Sequence, residues 1–162
     1  AGKRLIKMEI INILDESSIT SASTISNKRD AINSLAESMK GMDQIDCPVT
    51  HRFADGCYLR EIFMPKGSVV VGKIHATEHF NVILTGDVTV ATAEWVKRFK
   101  APHTFISEAG VQKVVYMHED CQWQTLHVTD KTDLKEIEKD VIVESYDQLE
   151  TDYLLDKFKE LL

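Results

Sequence analysis

The stretch "GKIHATEHFNVILTGDVTV", Gly72–Val90, decides how this chain is read. It holds the end of one short β run, all of a second, and the start of a third. The runs are parted by "ATE" and by "TGD", whose glycine suits a tight reversal. Side chains two apart on a strand share a face. Lys73 and His75 therefore point one way, and His79 and Asn81 pair up in the same manner on the next run.

The pattern continues outward in both directions. Between Arg52 and Thr129 the candidate strands are "CYLREIF", "SVVVGKIH", "HFNVILTG", "DVTVAT", "WVKRF", "HTFIS", "QKVVYMH" and "CQWQTLHV". Turn signals separate them, among them "PKG", where proline fixes φ and glycine takes the conformation that other residues avoid. Short strands at roughly ten-residue spacing predict an antiparallel sandwich or barrel, not alternating βαβ units.

The flanks differ from this middle. Residues 1–51 contain a strand-like "MEIINIL" and a Ser/Thr-rich stretch, "DESSITSASTISNKRD", which favours caps and loops. A helix candidate follows, with Ala31, Ile32, Leu35, Ala36 and Met39 at helical spacing and Gly41 at its end. It is expected to pack on the outside of the barrel. Residues 130–162 form an acidic extension that begins with a helix capped near Thr132, continues through strand-like "VIV", and ends in a second helix. That last helix carries Tyr146, Leu149, Tyr153, Leu154, Phe158, Leu161 and Leu162 near one face. Its apolar face is expected to cover the protein's own barrel, another copy, or a partner protein.

The 162 residues suit one domain with terminal extensions. The net charge of −7 opposes nonspecific binding to nucleic acid or anionic membrane. Most of the excess acid lies beyond Thr129, where five Lys stand against eleven Asp or Glu. The barrel region is thus nearly neutral and open to an anionic ligand. No apolar run approaches the ~20 residues of a membrane span. The three cysteines, Cys47, Cys57 and Cys121, form no CxxC pair and read as free thiols of a reducing cytoplasm. No nucleophile elbow, phosphate-cradling loop or dinucleotide fingerprint occurs.

"GKIHATEHFNVILTGDVTV" resembles the first signature of the cupin superfamily, G-x5-H-x-H-x3-4-E-x6-G. Counting back from Gly86 places His79 where the family has its Glu, His75 at the second His and Lys73 at the first. "FISEAGVQKVVYM" is similar to the second signature in keeping Gly110, but Glu108 replaces Pro, Lys113 replaces His and Met117 replaces Asn. Similar divergent barrels occur among small cupin-like proteins of tailed phages. The resemblance covers about 75 residues and implies a mainly β protein, a single cupin-like antiparallel β-barrel or jelly roll between an N-terminal helix and a helical C-terminal extension.

The resemblance also implies that the last strand runs antiparallel to the one starting at His79. His127 would then arrive beside His79, with Trp123, Thr125 and His127 on one face. His75, His79 and His127 make a candidate metal set for Zn²⁺, Fe²⁺, Mn²⁺ or Ni²⁺. Glu78 and Lys73 are the candidate catalytic groups, Glu78 as a general base or as a solvated carboxylate. Lys113, Glu61, Tyr116 and Trp123 are candidates to line a ligand pocket, with Glu61 expected to pair with Lys73. Phe63, Tyr116, Met117 and Trp123 could wall a pocket but read first as plain core, and His51, His103 and His118 read as surface residues. Lys73 and Lys113 would repel a divalent ion, which leaves a metal-free pocket for an anion as an alternative, and a barrel without ligand as another.

Two functions of different class follow. One is a metal-dependent isomerase, lyase or dioxygenase acting on a small oxygenated molecule. The other is a non-catalytic ligand-binding, structural or accessory protein, phage-encoded if the closer similarity holds. The expected setting is the cytoplasm, or a host cytoplasm or virion in the phage case. A homodimer is expected through free sheet edges at "KMEIINIL" and "VIV".

Overall fold

A computed structural model of the protein describes residues 22–147. The strand-like "MEIINIL" and the stripe beyond Tyr146 lie outside those residues. Helix α1 (Ala22–Lys40) comes first. Ten strands follow: β1 (Val49–Ala54), β2 (Cys57–Met64), β3 (Val69–Val71), β4 (Ile74–His75), β5 (His79–Thr85), β6 (Asp87–Ala91), β7 (Val96–Lys100), β8 (His103–Ser107), β9 (Val114–Met117) and β10 (Cys121–Val128). Helix α2 (Leu134–Val141) and the short β11 (Ile142–Val143) close the described chain.

The strands build two antiparallel sheets, ordered β1-β2-β10-β5-β8 and β3-β9-β6-β7. The chain crosses repeatedly from one sheet to the other, and its last long strand lies between β2 and β5. This is the double Greek key of a jelly roll, the strand order that the resemblance implied. Among the described residues no ladder joins the two large sheets, so they face each other as an open sandwich, not a closed cylinder.

Apolar side chains fill one end of the space between the sheets. Met64, Ile83, Val88, Val90, Val115, Met117, Cys121 and Trp123 form a buried cluster there. The turn that closes this end requires glycine at position 86. Its φ is +105°, and a Cβ would stand 2.7 Å from the Asp120 carbonyl oxygen. Outside the smaller sheet, Ile32 and Leu35 of α1 pack on Ala91 and Val114.

Several expectations need correction. Helix α1 begins at Ala22, inside the hydroxyl-rich stretch expected to be a loop. Burial of Ile32 and Leu35 on the sheet outweighs the weak propensity of Ser and Thr. "SVVVGKIH" is not one strand but two. β3 stays in the smaller sheet, while β4 leaves it and pairs with β11 through His75–Ile142 and Ile74–Val143. "VIV" therefore pairs within the chain, through one edge, with β4. The cysteines are unbridged, and burial pushes the Cys121 thiol up to about 11.

Candidate functional site

The other end of the sandwich is hollow. A cavity of about 480 Å³ lies between β2 and β10 on one side and β3 and β9 on the other, with α2 and β11 along its rim. Register places its polar side chains. On β10, Trp123, Thr125 and His127 face inward, opposite Ile62, Arg60 and Tyr58 of β2. Leu126 pairs with Phe80 of β5, which brings His127 beside His79. His75 reaches the same point from β4, where its backbone is tied by bonds Gly110 N–H to His75 O (2.7 Å) and Ala76 N–H to Val141 O (2.8 Å).

The three imidazoles stand together. Ring centroids are 4.3 Å apart for His75–His79, 4.9 Å for His79–His127 and 5.6 Å for His75–His127. His79 Nδ1 lies 3.0 Å from the Thr77 carbonyl, which only accepts, so Nδ1 carries the proton and Nε2 is left with its lone pair. His79 Nε2, His75 Nδ1 and His127 Nδ1 are buried without a hydrogen-bond partner. Burial, assisted by nearby Lys113, lowers His75 to about 2. Burial likewise lowers His127 to about 4, and His79 to about 4 against the opposing effect of its bond to Thr77. All three rings are neutral at physiological pH.

Lys113, just ahead of β9, lines the same cavity and is buried. Burial lowers it to about 8, and no carboxylate within the described residues forms an ion pair with it. Arg60 adds a second cation on the wall, likewise outside any ion pair among those residues. Below them Trp123 Nε1 donates to Asn81 Oδ1 (3.1 Å), and Asn81 Nδ2 donates to Ser107 Oγ (2.9 Å). These bonds fix the indole and the amide in place.

The remaining candidates sit elsewhere. Lys73 is exposed at the rim and pairs with Glu138 of α2, not with Glu61. Strand β2 turns Arg60 inward and Glu61 outward, where Gln124 Nε2 donates to Glu61 and Arg52 lies 3.4 Å away. Tyr116 is 40% exposed on the outer face of β9 and does not line the cavity. Glu78 is exposed in the turn between His75 and His79. His51, expected as a plain surface residue, edges the cavity with its Nδ1 2.7 Å from the Tyr58 hydroxyl, and Tyr58 stacks on His127. His118 and His103 are half-buried, the one bonded to Thr89 Oγ1 and the other stacked on Phe99.

Of the adjacent pair Arg60 and Glu61, sequence reasoning chose Glu61 as the inward residue, where the structure has Arg60, and it missed the α2 rim. Tyr58, Ile62 and Met64 alternate with Leu59 and Phe63, so both faces of β2 look apolar and neither marks itself as inward. The cap of helix α2, expected at Thr132, is Asp133, whose side chain accepts from Lys135 N–H and Glu136 N–H. Nothing local said what the helix would cover.

The donor chemistry at His75, His79 and His127 suits a divalent ion, since neutral imidazoles are its commonest nitrogen ligands. As they stand, no three His, Cys, Asp or Glu side chains among the described residues form a metal-holding group. The fit thus extends to the type and number of donors.

No family model matches the chain, and no curated protein does. Solved structures similar to it include a cupin-2 domain containing protein from Shewanella frigidimarina, 12% identical over 58% of this chain and 91% of its own, with a TM-score of 0.42. A cupin superfamily protein from Desulfitobacterium hafniense is 10% identical over 59% and 88%, with a TM-score of 0.46. An acetylacetone dioxygenase from Acinetobacter johnsonii is 12% identical over 51% and 59%, with a TM-score of 0.43. Among the described residues no helix is long and apolar enough to cross a membrane.

Proposed function

We propose that this jelly roll is a binding protein for a small anionic, oxygen-bearing molecule, held in the cavity by Lys113 and Arg60. The reading is carried by the buried, unpaired Lys113 beside three neutral imidazoles. A buried cation without a counter-charge is costly, and an incoming carboxylate or phosphate removes that cost while gaining charge-assisted hydrogen bonds. The neutral rings add no positive charge of their own; those of His75 and His127 can donate or accept at the ligand's edge, whereas His79 Nε2 only accepts.

The three unpartnered ring nitrogens favour a second component, a divalent metal held by His75, His79 and His127. A bound metal would supply Lewis acidity toward a ligand oxygen. The anion is then what makes a divalent ion tolerable next to two fixed cations, because it offsets their repulsion. Asn81 and Thr125 remain to orient the ligand from the floor and wall.

Isothermal titration with inorganic phosphate and with acetate tests this, on protein freed of metal and on protein given equimolar Ni²⁺. Binding that weakens at least tenfold in Lys113→Met is expected. Metal uptake at about one ion per chain that disappears in both His75→Ala and His79→Ala would add the metal to the site. Wild-type protein that takes up neither anion under either condition would sink the anion reading.

A further inference from the structure

Four inward-facing strands grade in the same direction. On β2 the series runs Met64, Ile62, Arg60, Tyr58, and on β10 Cys121, Trp123, Thr125, His127, directly opposite by register. On β5 it runs Ile83, Asn81, His79, and toward β9 it runs Met117, Val115, Lys113. Each passes from wholly apolar at the packed end to polar at the hollow end. We infer that the ligand is an amphiphile, an anionic group attached to an apolar body of aromatic-ring or short-chain size. Its anion sits at the Lys113–Arg60 level and its body lies against Trp123, Ile62 and Val70. This rests on the anion reading above and names the ligand class for the same cavity.

Three observations support it. The cavity's 480 Å³ falls within the ~300–1,000 Å³ of sites that enclose drug-sized ligands, far beyond what a bare phosphate or acetate fills. Ile62 and Val70 face into the molecule yet are only half-buried, so apolar surface is left uncovered inside the fold. The Trp123 indole has its one polar atom satisfied by Asn81, and the edge contact with Phe105 (centroids 5.6 Å, 80°) leaves the ring as a fixed apolar wall. Inward rows two residues apart are separated by roughly 7 Å, so the Arg60 row and the Trp123 row are one phenyl-sized step apart.

The test pairs ligands that share a head group, using full-chain protein with and without equimolar Ni²⁺. Inorganic phosphate is compared with phenyl phosphate, and acetate with 3-phenylpropionate. 3-Phenylpropanamide serves as the uncharged control. The phenyl-bearing anion is expected to bind at least tenfold tighter than its bare head group and to alter tryptophan fluorescence, with the amide at least tenfold weaker. Ile62→Ser should remove most of the phenyl advantage, read as the ratio of phenyl phosphate to phosphate affinity. Bare anions bound through Lys113 with no gain from the phenyl group would overturn this inference and leave the proposed function standing. An absence of binding by any anion would overturn both.

Discussion

The two ends of the sandwich are made by the same strands and have opposite characters. At the packed end Ile83, Val88, Val90 and Met117 are completely excluded from solvent. At the hollow end His79, His127 and Lys113 are almost as buried, but His79 Nε2 and His127 Nδ1 lack a hydrogen-bond partner and Lys113 lacks an ion pair among the described residues. Burial therefore does different work at each end. Dense apolar packing supplies stability, and incompletely satisfied polar burial consumes it, a distribution expected where a binding site is held on a rigid scaffold.

Acid should separate the ends most strongly. His75, His79 and His127 have folded-state values lowered from 6.5, so below about pH 6.5 the unfolded chain takes up protons that the native hollow end refuses. The sign follows: the contribution of these three groups is present above pH 6.5 and is lost as pH falls, toward about 4 for His79 and His127 and about 2 for His75, the largest effect because three groups act together. Urea midpoints measured from pH 7 to pH 5 should fall, and the slope should flatten in a His75→Phe variant. An unchanged midpoint across that range would show that the three rings are not buried as neutral groups.

Next in size is a truncation at the packed end. Ile83→Ala leaves a void in a core with no exposure and should cost about 4 kcal/mol, read from chemical denaturation. The same kind of change at half-buried Val70 on the cavity wall should cost only about 1 kcal/mol. Equal losses at both sites would erase the contrast.

Lys113→Met should act with the opposite sign. Burial holds the ammonium at about 8, against 10.5 in an unfolded chain, so its cost is present in full below pH 8 and relieved between pH 8 and 10.5. The variant should gain about 3 kcal/mol at pH 7 and lose the wild type's rise in stability through that alkaline window. A destabilised variant would mean that the ammonium is satisfied in the native state.

The smallest effects belong to the rim. Asp133→Ala removes the cap of α2 and should cost about 1 kcal/mol. Lys73→Ala breaks an exposed ion pair with Glu138 and should change stability by less than about 1 kcal/mol in a thermal melt. A much larger loss from Lys73→Ala would make the rim part of the core.

Most strands were legible because alternation and turn residues act over a few neighbours. "CQWQTLHV" is β10 residue for residue, and the turns at Gly67, Gly86 and Gly110 all use positive φ. The meeting of His75, His79 and His127 was also within reach, once the resemblance supplied the antiparallel order of β5 and β10. Lys73 was not, because the chain leaves the smaller sheet at Gly72 and a strand-wide alternation no longer applies. Tyr116 and Glu61 failed for a related reason. Both lie on strands with apolar residues on each face, so period two fixes which residues go together but not which set goes in.

By itself, then, the sequence determined an antiparallel β protein, the places of its turns, and two histidines brought close by a short reversal between strands. Those properties depend on interactions a few residues apart, where sterics and hydrogen bonding leave few choices. Tertiary structure alone decided that Arg60 faces the cavity, that α2 and β11 border it, and that Lys113 is buried without a counter-charge. Each of these depends on what a segment distant in the chain packs against. Only the assembled core, by excluding water, gathers a lysine and three histidines at one end of the sandwich with their charge and hydrogen bonding unmatched.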